Sequence, residues 1–186
     1  MLTLSSSWYK WIDLNTSFTH GTQPNYYPPT GMAPFLANGD SGAATIILHA
    51  GTRLRLDEIY YYTRLATMKE QVPSAPPPGS AIFNNHVIRS KFNYEFTRNY
   101  SFRAILDYNS LLPNPALVSN SYSKTADTTL LFTYLPHPGT AVYVGYANTF
   151  QNVDYDASST RYTVTSTPGT STDRQLFAKV SYLFRF

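Results

Sequence analysis

Between Tyr100 and Tyr108 every second residue is apolar: Tyr100, Phe102, Ala104, Leu106 and Tyr108 alternate with Ser101, Arg103, Ile105 and Asp107. A period of two puts the first set on one face of an extended strand and the second on the other. The pattern recurs. In "WIDLNTSFTH", Ile12, Leu14, Thr16 and Phe18 alternate with Asp13, Asn15, Ser17 and Thr19. In "IFNNHVIRSKFNYEF", Ile88, Phe92, Tyr94 and Phe96 oppose Arg89, Lys91, Asn93 and Glu95. In "LFAKVSYLFRF", Leu176, Ala178, Val180, Tyr182, Phe184 and Phe186 share a face. No segment carries the 3.6-residue period of an amphipathic helix, and β-branched and aromatic residues dominate the alternating runs. The chain is expected to be all-β.

The connections set the topology. "GTR", "TRN" and "PHPGT" are tight-turn material, whereas 21–42, 66–80, 111–125 and 151–173 are long and rich in Pro, Gly, Ser, Thr and Asn. Long and short connections alternate strictly. In an antiparallel up-and-down meander this gathers the long loops at one end and the tight turns at the other, the asymmetry of transmembrane β-barrels. About eight strands are expected from Trp11 onward, an even number that closes on side chains alone or forms the last part of a larger barrel.

Composition supports a membrane setting for such strands. Charged residues are only 13% of the 186, about half the soluble average of roughly 25%. No run approaches the ~20 apolar residues of a membrane helix, so a crossing has to be made by strands. The charges fall on one side of the alternation: Arg89, Lys91, Glu95, Arg103, Asp107 and Lys179 are candidates to line a wet lumen. Tyr100 and Tyr108 bracket the opposite face; eight residues at ~3.3 Å, tilted about 40°, rise roughly 20 Å, near the ~25 Å apolar band between aromatic girdles. The net charge of +3 is dispersed, with no basic block for nucleic acid. Cysteine is absent, which excludes disulfides and thiolate metal ligands.

The terminal "VSYLFRF" resembles the closing strand of bacterial outer-membrane proteins, which end in Phe with apolar residues at alternate positions. The resemblance implies that Tyr182, Phe184 and Phe186 form an assembly signal, read by the barrel-assembly machinery through strand addition. More broadly, "RSKFNYEFT", "SFRAILDYNS" and "YLPHPGTAVYVGY" resemble the C-terminal barrel of a bacterial family that pairs a module similar to family-9 carbohydrate-binding domains with an outer-membrane barrel. The resemblance implies outer-membrane location, lipid as surroundings and an upstream carbohydrate-binding domain as partner, a link these residues themselves do not support; small solutes as cargo follow only from the charges placed in the lumen. No sugar-binding module and no export signal is found within these residues. Residues 1–10 are therefore expected to be the tail of an upstream strand or turn, and 11–186 the barrel, as a fragment of a longer protein.

Chemistry is sparse. His20 and His86 fall near the long-loop ends of their strands, His49 near a tight turn and His137 inside "PHPGT". No HExxH or nucleophile motif and no glycine-rich phosphate loop is present. His20, His86, Asp40, Asp154 and Asp156 could meet at the outer rim in a hydrolase-like constellation, and the D-x-D step of "NVDYDASS" could hold calcium, but nothing in their spacing demands either. Neither catalytic residues nor cofactor or metal ligands are expected. The reading is a membrane anchor or small-solute pore; the competing classes are a soluble β-barrel for a small apolar ligand and a rim-located envelope hydrolase.

Overall fold

The computed structural model describes residues 1–68 and 77–183. They form eleven strands: β1 (Leu2–Tyr9), β2 (Ile12–Asn25), β3 (Phe35–Ala50), β4 (Leu54–Thr67), β5 (Ala81–Glu95), β6 (Tyr100–Pro113), β7 (Ser123–His137), β8 (Thr140–Gln151), β9 (Val153–Asp156), β10 (Arg161–Val164) and β11 (Thr170–Tyr182). Nine make one sheet in the order β1-β2-β3-β4-β5-β6-β7-β8-β11, each antiparallel to its neighbour; β9 and β10 form a separate hairpin. The fold is an all-β, up-and-down meander. Among the described residues no helix is long and apolar enough to cross a membrane.

Several expectations shift at the element ends. Leu2–Tyr9, within the stretch expected to be the tail of an upstream strand or turn, is strand, and pairs with β2 from Leu2↔Phe18 to Tyr9↔Ile12. The expected 21–42 connection shrinks, because "GTQPN" and "FLANGDSG" remain paired out to Asn25↔Phe35. These stretches lack apolar alternation, so only hydrogen bonding to neighbours reveals them as strand. The 151–173 connection contains the β9–β10 hairpin and the start of β11. In all, eight main-sheet strands lie beyond Trp11, and β1 makes nine.

The register fixes the tilt. One rung runs Asp13–Ile47–Asp57–Lys91–Ile105–Thr129–Ala147–Gln175 across β2 to β11. Past this rung β2 continues 12 residues to Asn25, whereas β8 continues only 4 to Gln151, a retreat of eight over six strand-to-strand steps. At the tight-turn end Ile12 precedes the rung by one residue and Thr140 by seven, a shift of six. At ~3.3 Å per residue and ~4.8 Å between strands, this stagger tilts the strands by roughly 35–43°.

The hydrophobic cluster of buried residues lies at the long-loop end. Phe35, Ala37, Leu65 and Ile82 are buried there with Leu117 and Val118 of the β6–β7 loop. Phe35, Ala37 and Leu65 point to the same side of the sheet as Asp57 and Lys91, so the loop folds over that side. It reaches back to the β2–β3 connection: Asn25 Nδ2 donates to Leu117 O at 2.7 Å and Ser119 N to Tyr27 O at 2.9 Å. In a flat sheet these strand ends lie four spacings, about 19 Å, apart. The loop bridges them.

Candidate functional surfaces

Between the register shifts near the strand ends pairing preserves parity, so each rung there is all one face or all the other. One face carries Leu14, Ile46, Leu56, Phe92, Leu130 and Val144 through its middle. Leu14, Ile46, Leu56, Phe92 and Leu130 are half-buried, while Val144 is 45% exposed, Leu106 51% and, on the edge strand, Val180 70% and Leu176 75%. A contiguous apolar surface running across nine strands needs a cover other than water. Aromatic residues border it on both sides. Toward the tight turns, Tyr100 stacks on Tyr134 with centroids 4.5 Å apart, Tyr94 meets Phe96 edge-on at 4.8 Å, and Tyr9 lies 5.7 Å from Trp11. Toward the long loops lie Tyr60, Tyr62 and Tyr108; the Tyr60 hydroxyl is 2.8 Å from His86 Nδ1. Both girdle candidates, Tyr100 and Tyr108, are on this face.

Two charged side chains share one rung of this face, Glu58 in β4 and Arg174 in β11. Glu58, on the rung Ile46–Glu58–Ser90–Leu106, points to the apolar face, and Ser90 Oγ donates to its Oε2 at 2.6 Å. The alternation in "LRLDEIYYY" is broken by consecutive Asp57 and Glu58, which hides which of them faces which way. Only the pairing with Ser90 decides it.

The opposite face is polar, and all six lumen-lining candidates lie on it. Arg89 is paired with Asp107 in two bonds, through Nε at 2.5 Å and Nη2 at 3.0 Å. Arg103 Nε donates to Asn93 Oδ1 at 2.8 Å. Lys91, Glu95 and Lys179 make no side-chain hydrogen bond or ion pair with a described residue. Residues not singled out from sequence join them: Arg55 Nε donates to Asp57 at 2.7 Å, and Thr149 Oγ1 to Asp127 at 2.5 Å. Asp107, Asp127 and Asp173 fall on a single rung with Arg89, so acidic groups collect toward β11. A cleft of about 500 Å³ opens on this face beside Arg55, Lys91, Glu95 and Arg103. The charges are the long, hydrated kind that a water-lined surface accommodates.

A glycine locks the last two strands together. A Cβ at Gly145 would come 2.2 Å from the Phe177 ring, which lies over the polar face of β8. The residue has to lack a side chain for Phe177 to cover the strand.

The rim constellation does not assemble. His20 Nδ1 is 2.6 Å from Asp40 Oδ1, but His86 is held by Tyr60 and lies on another rung. Asp154 and Asp156 belong to the β9–β10 hairpin. There Ser158 and Ser159 hydroxyls donate to the Asp156 carboxylate at 2.7 and 2.8 Å, and these bonds, with the Ser158 amide, hold its pKa down at about 2. This carboxylate is committed to its own turn. Among the described residues no group of three or more His, Cys, Asp or Glu is arranged to hold a metal ion.

Of the three assembly-signal residues, Tyr182 ends β11, paired with Thr140 and 60% exposed; Phe184 and Phe186 lie outside the described residues. Comparison with protein-family models, curated proteins and solved structures finds no match to this chain.

Proposed function

We propose that the chain is part of the wall of a bacterial outer-membrane β-barrel, with its apolar face against lipid and its polar face lining a wet interior. It anchors its protein in the membrane and passes small solutes, and it carries no catalytic chemistry of its own. The observation that carries this reading is a coincidence of two independent geometries. Across the sheet most apolar side chains fall on one face and most charges of the central strands on the other, with Glu58 and Arg174 as exceptions. The register tilts the same strands by roughly 35–43°, within the 35–45° of membrane barrels. Sorting alone would suit a soluble sheet with one buried face, but here no described segment covers the middle of the apolar face, and the buried loop packs on the polar side. The aromatic rows at both borders fit the two interfaces of a bilayer.

On this reading β11 is inserted by the barrel-assembly machinery, and an upstream carbohydrate-binding domain would be held at the cell surface or in the periplasm. The test is conductance in planar bilayers. The complete barrel of which the chain is part gives discrete channels, and Arg103→Glu within it shifts the reversal potential in a salt gradient toward cation preference. Channels unaffected by Arg103→Glu, Lys91→Glu and Lys179→Glu together would remove the polar face from the conducting path. Inserted protein that never conducts would leave the anchoring role alone.

A further inference from the structure

The two free edges of the sheet carry information that the faces do not. Eight successive antiparallel pairings join β1 to β11, so the first and ninth strands run in the same direction. If β1 and β11 met within one chain, the seam would be parallel, with the slanted and slightly weaker hydrogen bonding of parallel strands. A second copy does not change this. Copies inserted with the same orientation bring β11 of one beside β1 of the next, again parallel. An antiparallel seam at both edges requires an odd number of intervening strands.

The polar face leads to the same conclusion by another route. A barrel of about eight strands is just wide enough for side chains to fill. Closing nine strands on themselves would enclose Lys91, Glu95 and Lys179, which have no side-chain partner among the described residues, together with the cleft of about 500 Å³ beside Lys91 and Glu95. Ions stripped of water without a partner are strongly disfavoured. A wider circumference leaves them hydrated.

We infer that the nine strands are one arc of a wider barrel, completed by an odd number of further amphipathic strands that run antiparallel to both β1 and β11. The proposal rests on the barrel reading above. Every strand of the main sheet neighbours the next main-sheet strand in sequence, so the same meander, extended along the same polypeptide, supplies the missing strands. Their outward positions are apolar and their inward positions polar, in continuation of the rungs already present.

The chain has no cysteine, which makes disulfide scanning clean. Ser5 of β1 points to the polar face, as do Gln175, Phe177 and Lys179 of β11. In the 186-residue chain reconstituted in lipid, Ser5→Cys is combined in turn with cysteine at each of those three positions. Ala147→Cys with Gln175→Cys, register partners in β8 and β11, is the control. Hydrogen exchange is followed on the outer-edge amides of β1 and β11. The expected result is a control disulfide in high yield, none between β1 and β11, and rapid exchange at both edges. An intramolecular β1–β11 disulfide with protected edges would overturn the proposal in favour of a self-closed, parallel-seamed barrel. An intermolecular one in a discrete oligomer, with protected edges, would overturn it in favour of a ring of copies. The disulfide pattern reports closure whether or not the apolar face touches lipid, so it fails independently of the membrane reading.

Discussion

Adjacent residues on β6 offer a paired test of orientation, because Ile105 and Leu106 differ mainly in the face they occupy. Leu106 is six residues from Tyr100 and two from Tyr108, placing it ~15 Å above one aromatic border and ~5 Å below the other at the observed tilt. It lies between the centre of the band and its outer margin. An arginine on the lipid face costs ~2–4 kcal/mol at the bilayer midplane and about 0–1 near the interfaces. Leu106→Arg should therefore destabilise the inserted protein by about 2 kcal/mol, roughly 30-fold in the unfolding equilibrium. Ile105→Arg places the same charge on the polar face between Arg103 and Asp107, where about 0–1 kcal/mol is expected. The assay is reversible urea unfolding from lipid vesicles, followed by tryptophan fluorescence. In a water-exposed sheet the order would differ: Leu106 is 51% exposed, and substitution there would stay within about 0.5 kcal/mol. An Ile105→Arg penalty equal to or above that of Leu106→Arg would refute the assignment of faces.

Other consequences can be measured in the same system. Glu58→Leu should stabilise the inserted protein by about 1 kcal/mol, since a carboxylate on the lipid face is unfavourable though less so than arginine; a lower urea midpoint would show that Glu58 serves a partner. Gly145→Ala should cost about 1–3 kcal/mol by displacing the Phe177 ring, and the cost should vanish in a Phe177→Ala background; additive effects would separate the two residues. Arg89 and Asp107 should couple by no more than about 1 kcal/mol in a double-mutant cycle, because their side chains are 55% and 28% exposed. The Asp156 carboxyl should titrate near 2 by NMR, and Ser158→Ala should raise it toward the ordinary 3.8. Because folding lowers this pKa, its stabilisation of the hairpin is complete above the unfolded value and fades as pH falls toward about 2. No change on removing Ser158 would deny the hydroxyl its role.

The sequence made strand character legible wherever one face carried a full apolar set. The strands around Ile12–Phe18, Phe92–Glu95, Tyr100–Tyr108 and Leu176–Tyr182 followed directly from period two, and the order of long and short connections gave the meander. Local pattern failed where strands run beyond the apolar band. Gly21–Asn25 and Phe35–Gly39 are held by backbone pairing and by the loop above them, neither of which leaves a periodic trace in side-chain polarity. The six lumen candidates proved to share a face because parity is conserved along the stretch of register that joins them; the shifts between Tyr134 and His137 and between Ser171 and Asp173 fall beyond it. The Phe177 cover over Gly145, the Thr149–Asp127 bond and the outward turn of Glu58 all depend on which residues are opposite one another. Register is a long-range property. No single strand encodes it.

The orientation of the apolar face is tested most directly by nitroxide scanning from residue 100 to residue 108 in lipid vesicles, recording collision rates with oxygen and with a water-soluble nickel chelate. Oxygen accessibility should peak at 102, 104 and 106 and the chelate at 101, 103, 105 and 107, two profiles of period two and opposite phase. The reversed phase, or chelate access to 104 and 106, would place the apolar stripe in water and end the account.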